Sequence, residues 1–181
     1  DEIYSGFCRT GKWFAFEHFG VVPDLVCLGK GMSNGFPISA CAGSRELFDA
    51  AWGPSGGEAK HTSTFLGHPV GCAMTIATIR ELKRGRWDRK VTETGDYLRM
   101  QLETLVRQNP EPLIGVRGRG LMQGLVFRKP GAAGRMMKKL LKSGVIALPS
   151  GERSDVLSLS PPFIITRREI DSAVEEIRRQ L

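Results

Sequence analysis

The sequence predicts an α/β fold, with a strand-bearing N-terminal piece and a smaller α+β C-terminal piece. Short apolar runs at 24–30 ("DLVCLGK") and 36–44 ("FPISACAGS") have the length and composition of strands. Two long helical patterns follow at 69–85 and 87–108, and the remainder alternates strands with helices. Gly85 falls between the two long helices, so a boundary is expected at 85–90, with domains 1–86 and 87–181.

Along the chain, "DEIYSGFCRTG" (1–11) is short, glycine-punctuated and loop-like. "KWFAFEHFG" (12–20) has aromatics at 13, 14, 16 and 19, as in a short helix ended by Gly20. The run Leu25-Val26-Cys27-Leu28 is expected to be a buried strand, and 36–44 a second one. In "SRELFDAAW", Ser44 can cap a helix whose first turns hold Glu46 and Asp49. A Gly/Ser-rich loop, "GPSGGEAKHTSTFLGHP", leads to a helix with Pro69 in its first turn and Gly85 after its end. The next helix carries Val91, Leu98, Leu102 and Leu105 on one stripe. "LIGVRGRGLMQGLVF" is a glycine-rich strand pair, "AAGRMMKKLLKSG" a helix, and "VIALPS" and "VLSLSPP" are strands. Thr166 and Glu169 form a capping box at the start of the last helix.

Composition narrows the function classes. Hydrophobic residues make up 41% and charged residues 25%, as in ordinary globular proteins. The net charge of +7 is spread along helix faces and interleaved with Glu and Asp, so no nucleic-acid partner is expected. Cys8, Cys27, Cys41 and Cys72 include no CxxC pair, and only three histidines accompany them, which argues against a metal cluster. Cys27 and Cys41 lie in apolar runs and are expected to be small core residues in a reducing, cytoplasmic compartment. No apolar stretch approaches the roughly 20 residues of a membrane span, so no membrane partner is expected, and no signal peptide is visible. The chain opens without an initiator methionine, and a fragment of a longer protein is expected. "GRGLMQG" at 118–124 is followed by strand-like residues, which suits a turn between strands better than a dinucleotide loop.

Lys30 raises the chemical question. It sits between Gly29 and Gly31 at the end of an apolar strand. A lysine withdrawn from water has its pKa lowered, which suits a nucleophile or base, whereas a strand-end lysine can also snorkel to solvent. Asp1 supplies a possible partner. Pyridoxal phosphate chemistry needs a lysine to hold the cofactor as a Schiff base and an acid to keep the pyridine nitrogen protonated. Neighbouring strand ends in an α/β sheet can bring both into one crevice.

The stretch "DEIYSGFCRTGKWFAFEHFGVVPDLVCLGKGMSNGFPISA" resembles the class III pyridoxal phosphate-dependent aminotransferases, from its Asp-Glu-Ile start to Gly-Lys. "HTSTFLGHPVGCA" resembles the family's next motif, and "VRGRGLMQGLVF" and "LSLSPPFIIT" resemble its C-terminal domain, so the likeness covers nearly the whole chain. It implies a fold type I transferase, represented by the C-terminal part of the large-domain sheet and the small α+β domain. The cofactor implied is pyridoxal 5'-phosphate. Lys30 would form the Schiff base and shuttle a proton, and Asp1 would pair with the pyridine nitrogen. Ile3 would pack on the ring, and Thr64 would bind the phosphate of a neighbouring subunit's cofactor, implying a homodimer with shared sites. The reaction implied is ping-pong transfer of an amino group from an amine or amino acid to a keto acid. The same scaffold also serves aminomutases, decarboxylases and racemases.

Two positions depart from the family pattern. Tyr4 stands where many relatives carry glutamine, and could hydrogen-bond the cofactor or shape the substrate pocket. Ser158 stands where many members acting on α-amino acids carry a carboxylate-clamping arginine, with Arg153 close enough to substitute. The likeness starts at Asp1, so the family's upstream cofactor-binding parts are expected to be missing and the isolated chain to be inactive.

Overall fold

The computed structural model describes residues 1–53 and 61–181. The expected loop over 53–69 is thus described only from His61 onward, and its residues 54–60 lie outside the described residues. The chain forms two compact units. One comprises Asp1–Cys8 and Lys12–Arg86, the other Arg9–Gly11 and Trp87–Leu181.

In the first unit, β1 (Leu25–Leu28) pairs antiparallel with β2 (Ala40–Gly43). A 3-10 turn at Ala15–His18 precedes the pair, and another at Lys30–Met32 lies in the connection between the strands. Helix α1 (Arg45–Trp52) begins at Ser44, whose Oγ accepts from the Leu47 N–H at 3.3 Å. Helix α2 (Pro69–Gly85) packs so closely over residues 36–38 that a Cβ on Gly71 would lie 2.9 Å from Ile38 Cδ1. The left-handed position after α2 falls on Arg86 at φ 50°, because Gly85 still belongs to the helix.

The strand pair departs from the expected burial. Leu25 is 50% exposed, and Cys27 and Cys41 are both exposed. A strand is buried on both faces only when layers cover it, and none of the described elements covers both faces of this pair. The core cysteine is Cys8, fully buried in the loop that precedes Trp13.

The second unit is a two-layer α+β arrangement. Its sheet has the order β3-β4-β6-β5, with β3 Leu113–Arg119, β4 Met122–Phe127, β5 Leu148–Ser150 and β6 Val156–Leu159, all pairs antiparallel. Helices α3 (Trp87–Gln108), α4 (Ala132–Lys142) and α5 (Arg167–Gln180) supply the other layer. Val91, Leu98, Leu102 and Leu105 of α3 are all buried, as their spacing requires. Leu105 joins Leu125, Phe127, Met136, Leu140, Leu157 and Ile177 in the main core, while Val91, Leu98 and Leu102 meet Leu121 and Ile170. Each such side chain contributes about 1.5–3 kcal/mol by leaving water.

Arg9–Gly11 straps onto this unit. The Arg9 guanidinium donates to the Pro161 carbonyl at 2.6 Å and lies 4.5 Å from the Phe163 ring centroid. The Leu121 N–H donates to the Arg9 carbonyl at 3.0 Å.

The capping box of α5 is formed. The Thr166 N–H and hydroxyl each donate to Glu169 Oε2 at 2.7 Å, and the Glu169 N–H donates back to Thr166 Oγ1. These bonds, the backbone one foremost, hold the Glu169 carboxyl below the usual carboxylate range. A carboxyl lowered in the folded state stabilises above its unfolded pKa and loses that contribution as pH falls through the folded value. Amide protection of α5 should therefore weaken on acidification below about pH 4.5, and Thr166→Ala, which removes the hydroxyl bond but keeps the backbone one, should reduce that dependence in part. Loss of the cap itself should cost about 1 kcal/mol, measurable by hydrogen exchange across 167–180.

Candidate active site

Residues 1–7 run alongside residues 27–31 within the first unit. The Glu2 N–H donates to the Cys27 carbonyl at 2.9 Å, which seats the N-terminal segment beside β1. Ile3 then lies against Gly29, where a Cβ would meet Ile3 Cγ2 at 3.5 Å. Gly31 sits by Phe7, with the corresponding distance also 3.5 Å.

This contact brings Lys30 over Tyr4, with Nζ 4.5 Å from the ring centroid. An ammonium held over an aromatic face gains roughly 0.5–1 kcal/mol at an exposed site. Lys30 is exposed rather than buried, and among the described residues its ammonium enters no ion pair. Its backbone has φ 40°, left-handed for a residue with a Cβ, a conformation costing roughly 1–2 kcal/mol. Such outliers persist where the surroundings over-determine them, and they cluster at functional sites.

Asp1 is exposed, and its Oδ1 accepts from the Ile3 N–H at 2.8 Å, closing the first turn of the segment. The structure thus gathers Asp1, Ile3, Tyr4 and Lys30 on two adjacent segments. Thr64 lies elsewhere, exposed in the turn at 64–67 that leads to α2, and is not joined to the other four. In that turn the Leu66 N–H donates to the Ser63 carbonyl and the His68 N–H to the Phe65 carbonyl.

Glu2 was not singled out by the sequence, yet it organises the segment. It is 5% exposed, and its carboxylate accepts from Ser5 Oγ at 2.5 Å and from the Phe16 N–H at 2.9 Å. It belongs to the Asp-Glu-Ile start of the motif, but its role is not visible there because its partner Phe16 is distant in the chain. On the far side of Lys30, the buried Ser33 donates to the Phe36 carbonyl, which fixes the return toward β2.

In the second unit, Ser158 is paired in β6 between Gly124 and Leu148. Arg153 is not a free clamp. Its guanidinium donates twice to Asp155 Oδ2, at 3.1 and 2.8 Å, and Asp155 is buried.

The chain was compared with known proteins. The family described as Aminotransferase class-III matches residues 1–181. An acetylornithine aminotransferase from Methanosarcina mazei is 35% identical over 99% of this chain and 42% of the relative. The solved structure of a transaminase from the marine bacterium Virgibacillus superposes with a TM-score of 0.89 at 27% identity, over 99% of this chain and 43% of that one. A phospholyase from Arthrobacter in complex with phosphoethanolamine gives 0.87 at 30% identity, over 99% and 43%. The chain therefore spans about two-fifths of the length of these proteins. With its fold and its full length matched in this way, the chain belongs to the class-III aminotransferase family.

Proposed function

We propose that the protein to which this chain belongs is a pyridoxal 5'-phosphate-dependent transaminase, with Lys30 as the cofactor-bearing lysine. The observation that carries this reading is the seating of residues 1–4 beside 27–30, with Lys30 at a left-handed backbone position over the Tyr4 ring. The donor set suits the cofactor chemically: an exposed amine, an exposed carboxylate and an apolar side chain between them. When bound, pyridoxal phosphate supplies an electron sink for the carbon that loses its proton.

Lys30 would hold the cofactor through its side-chain nitrogen and would serve as the base for the proton at the donor carbon. Asp1 would pair its carboxylate with the ring nitrogen, and Ile3 would cover the ring and exclude water. Tyr4 can offer its hydroxyl to an oxygen of the cofactor or its ring to the substrate. Thr64 would hold the cofactor's phosphate in a second subunit's site, which implies a homodimer; a cytoplasmic location completes the proposal. Unit one would then be the end of the cofactor-binding domain and unit two the small domain. The partners are an amine or amino acid donor and a keto acid acceptor. Ser158 lies in the sheet and the Arg153 guanidinium is engaged by Asp155, so neither position presents a ready clamp for an α-carboxylate. This favours a donor whose reacting amine is remote from any carboxylate.

Borohydride trapping tests the reading. The protein is incubated with pyridoxal phosphate, reduced, digested with trypsin and mapped by mass spectrometry. A single adduct on Lys30, absent in Lys30→Ala, is expected. If the 181-residue chain remains unlabelled, the assay is repeated on the chain extended upstream of Asp1, where failure to label Lys30 overturns the proposal. Similarity to the Arthrobacter phospholyase supports a second reading, lyase chemistry with the same lysine. Nitrogen appearing in a new amino acid when a keto acid is supplied separates the two.

A further inference from the structure

We infer that the second unit carries a binding site for a diphosphate-bearing anion, in a cavity between α4 and the end of α5. The cavity has a volume of about 480 Å³, within the roughly 300–1,000 Å³ usual for small-molecule sites. Phe127 and Met136, both buried, give it an apolar lining. Its exposed lining is cationic, with Arg128, Lys129, Arg135 and Lys139. Against these stand Glu111 and the carboxylate of Leu181, so two positive charges are in excess.

The way these cations are held sets them apart. Arg84, Arg99, Arg153, Arg178 and Arg179 each meet a carboxylate, which balances their charge. Among the described residues, none of the four cavity cations enters an ion pair. Arg128 and Lys139 are instead fixed by neutral backbone oxygens. Arg128 donates from Nε to the Glu111 carbonyl and from Nη2 to the Pro110 carbonyl, both at 3.0 Å. Lys139 Nζ donates to the Gln180 carbonyl at 2.8 Å and joins α4 to α5. Arg135 folds back over the first turn of α4, where its Nη1 would lie 3.1 Å from a Cβ on Gly131. A carbonyl orients a cation without cancelling its charge. Arg128 Nη1 and two of the three Lys139 donors therefore remain for a ligand.

Guanidinium groups match the paired oxygens of a phosphate, and a lysine adds a compact charge. The cations come from the segment after β4, the first turn of α4 and its later turns, so two linked phosphates reach more of them than one does. The apolar lining leaves space for a nucleoside beside the diphosphate. Every residue of the cavity belongs to the second unit, and the inference is independent of the amino-transfer reading.

Hydrogen exchange read by mass spectrometry tests the site, with pyrophosphate, adenosine diphosphate and adenosine as probes at about 50 mM salt. Both the 181-residue chain and the chain extended upstream of Asp1 are measured, free of pyridoxal phosphate. Either diphosphate should slow exchange across 128–139, and adenosine should not. Tighter binding of adenosine diphosphate would assign the site to a nucleotide, and equal binding to inorganic pyrophosphate; both outcomes support it. Arg135→Gln removes an exposed charge and should weaken affinity roughly ten-fold. Lys138→Gln lies on the same helix outside the cavity and should change affinity less than about two-fold. Protection confined to 1–31 or 61–67, adenosine binding as tightly as its diphosphate, equal affinities in the two variants, or loss of binding in the extended chain would each overturn the inference.

Discussion

Gly95→Ala is expected to destabilise the second unit by about 3 kcal/mol or more. A Cβ at this position on α3 would lie 2.4 Å from the carbonyl carbon and oxygen of Gly120, and 2.5 Å from its Cα. All three are backbone atoms, so no side-chain rotation can relieve the clash. Nor can Gly120 retreat. It sits at φ 52° in the β3–β4 turn, and a Cβ on its own far side would meet the Thr10 carbonyl carbon at 2.5 Å. Three backbones, from α3, the turn and the Arg9–Gly11 strap, are therefore stacked with no room between them. The Gln123 amide fastens them by donating to the carbonyls of Gly95 and Gly120 at 2.7 and 2.8 Å. Urea unfolding followed in the second unit should show the midpoint falling by about 1 M or more. Gly115→Ala in β3 is the matched control. It has open space at the Cβ position and no positive φ, and should stay within about 0.5 kcal/mol of the parent. A Gly95→Ala midpoint equal to that of the control would show that the turn yields.

The second large effect is expected at Glu2. Its carboxylate is buried and joins Ser5 to the Phe16 N–H, bracing the segment that carries Asp1 and Tyr4 against the turn at Ala15–His18. Hydrogen bonds to a charged group contribute about 1.5–3 kcal/mol, and stranding the Phe16 N–H adds to the loss. Glu2→Ala should therefore cost about 3 kcal/mol locally, equivalent to roughly 100-fold faster amide exchange at Phe16. Glu2→Gln retains one acceptor oxygen and should lose about half as much. Because Glu2 touches none of the reacting groups, its effect on Lys30 labelling should run through position. Labelling by pyridoxal phosphate should weaken in Glu2→Ala and recover partly in Glu2→Gln. Unchanged exchange at Phe16 would show that the brace carries no load.

Much of the fold was legible wherever a signal spans only a few residues. Ser44 and Thr166 cap helices as their side chains require, and the α3 stripe is buried throughout. The strands were less legible. The strand expected at 36–44 pairs only over Ala40–Gly43, and "VIALPS" only over Leu148–Ser150, because pairing stops where the partner strand ends. β1 is exposed in this chain, which spans about two-fifths of its relatives, because an apolar run shows that a strand is suited to a core but not what covers it. Of the candidate site, Asp1, Ile3, Tyr4 and Lys30 come together in one place, whereas Glu2 was visible as a motif residue but not as a brace, and Thr64 stands apart.

By itself the sequence determined the family, the α/β class, the helix caps and the residues offered for chemistry. All of these reside in composition, short-range periodicity and motif spacing. Only the tertiary structure decided that Cys8 is buried while Cys27 faces Cys41, that Arg9–Gly11 joins the second unit, and that Asp155 occupies Arg153. The physical reason is range. A cap or a helical stripe is settled within about four residues, whereas burial and cross-strand pairing depend on which distant segment reaches the same space.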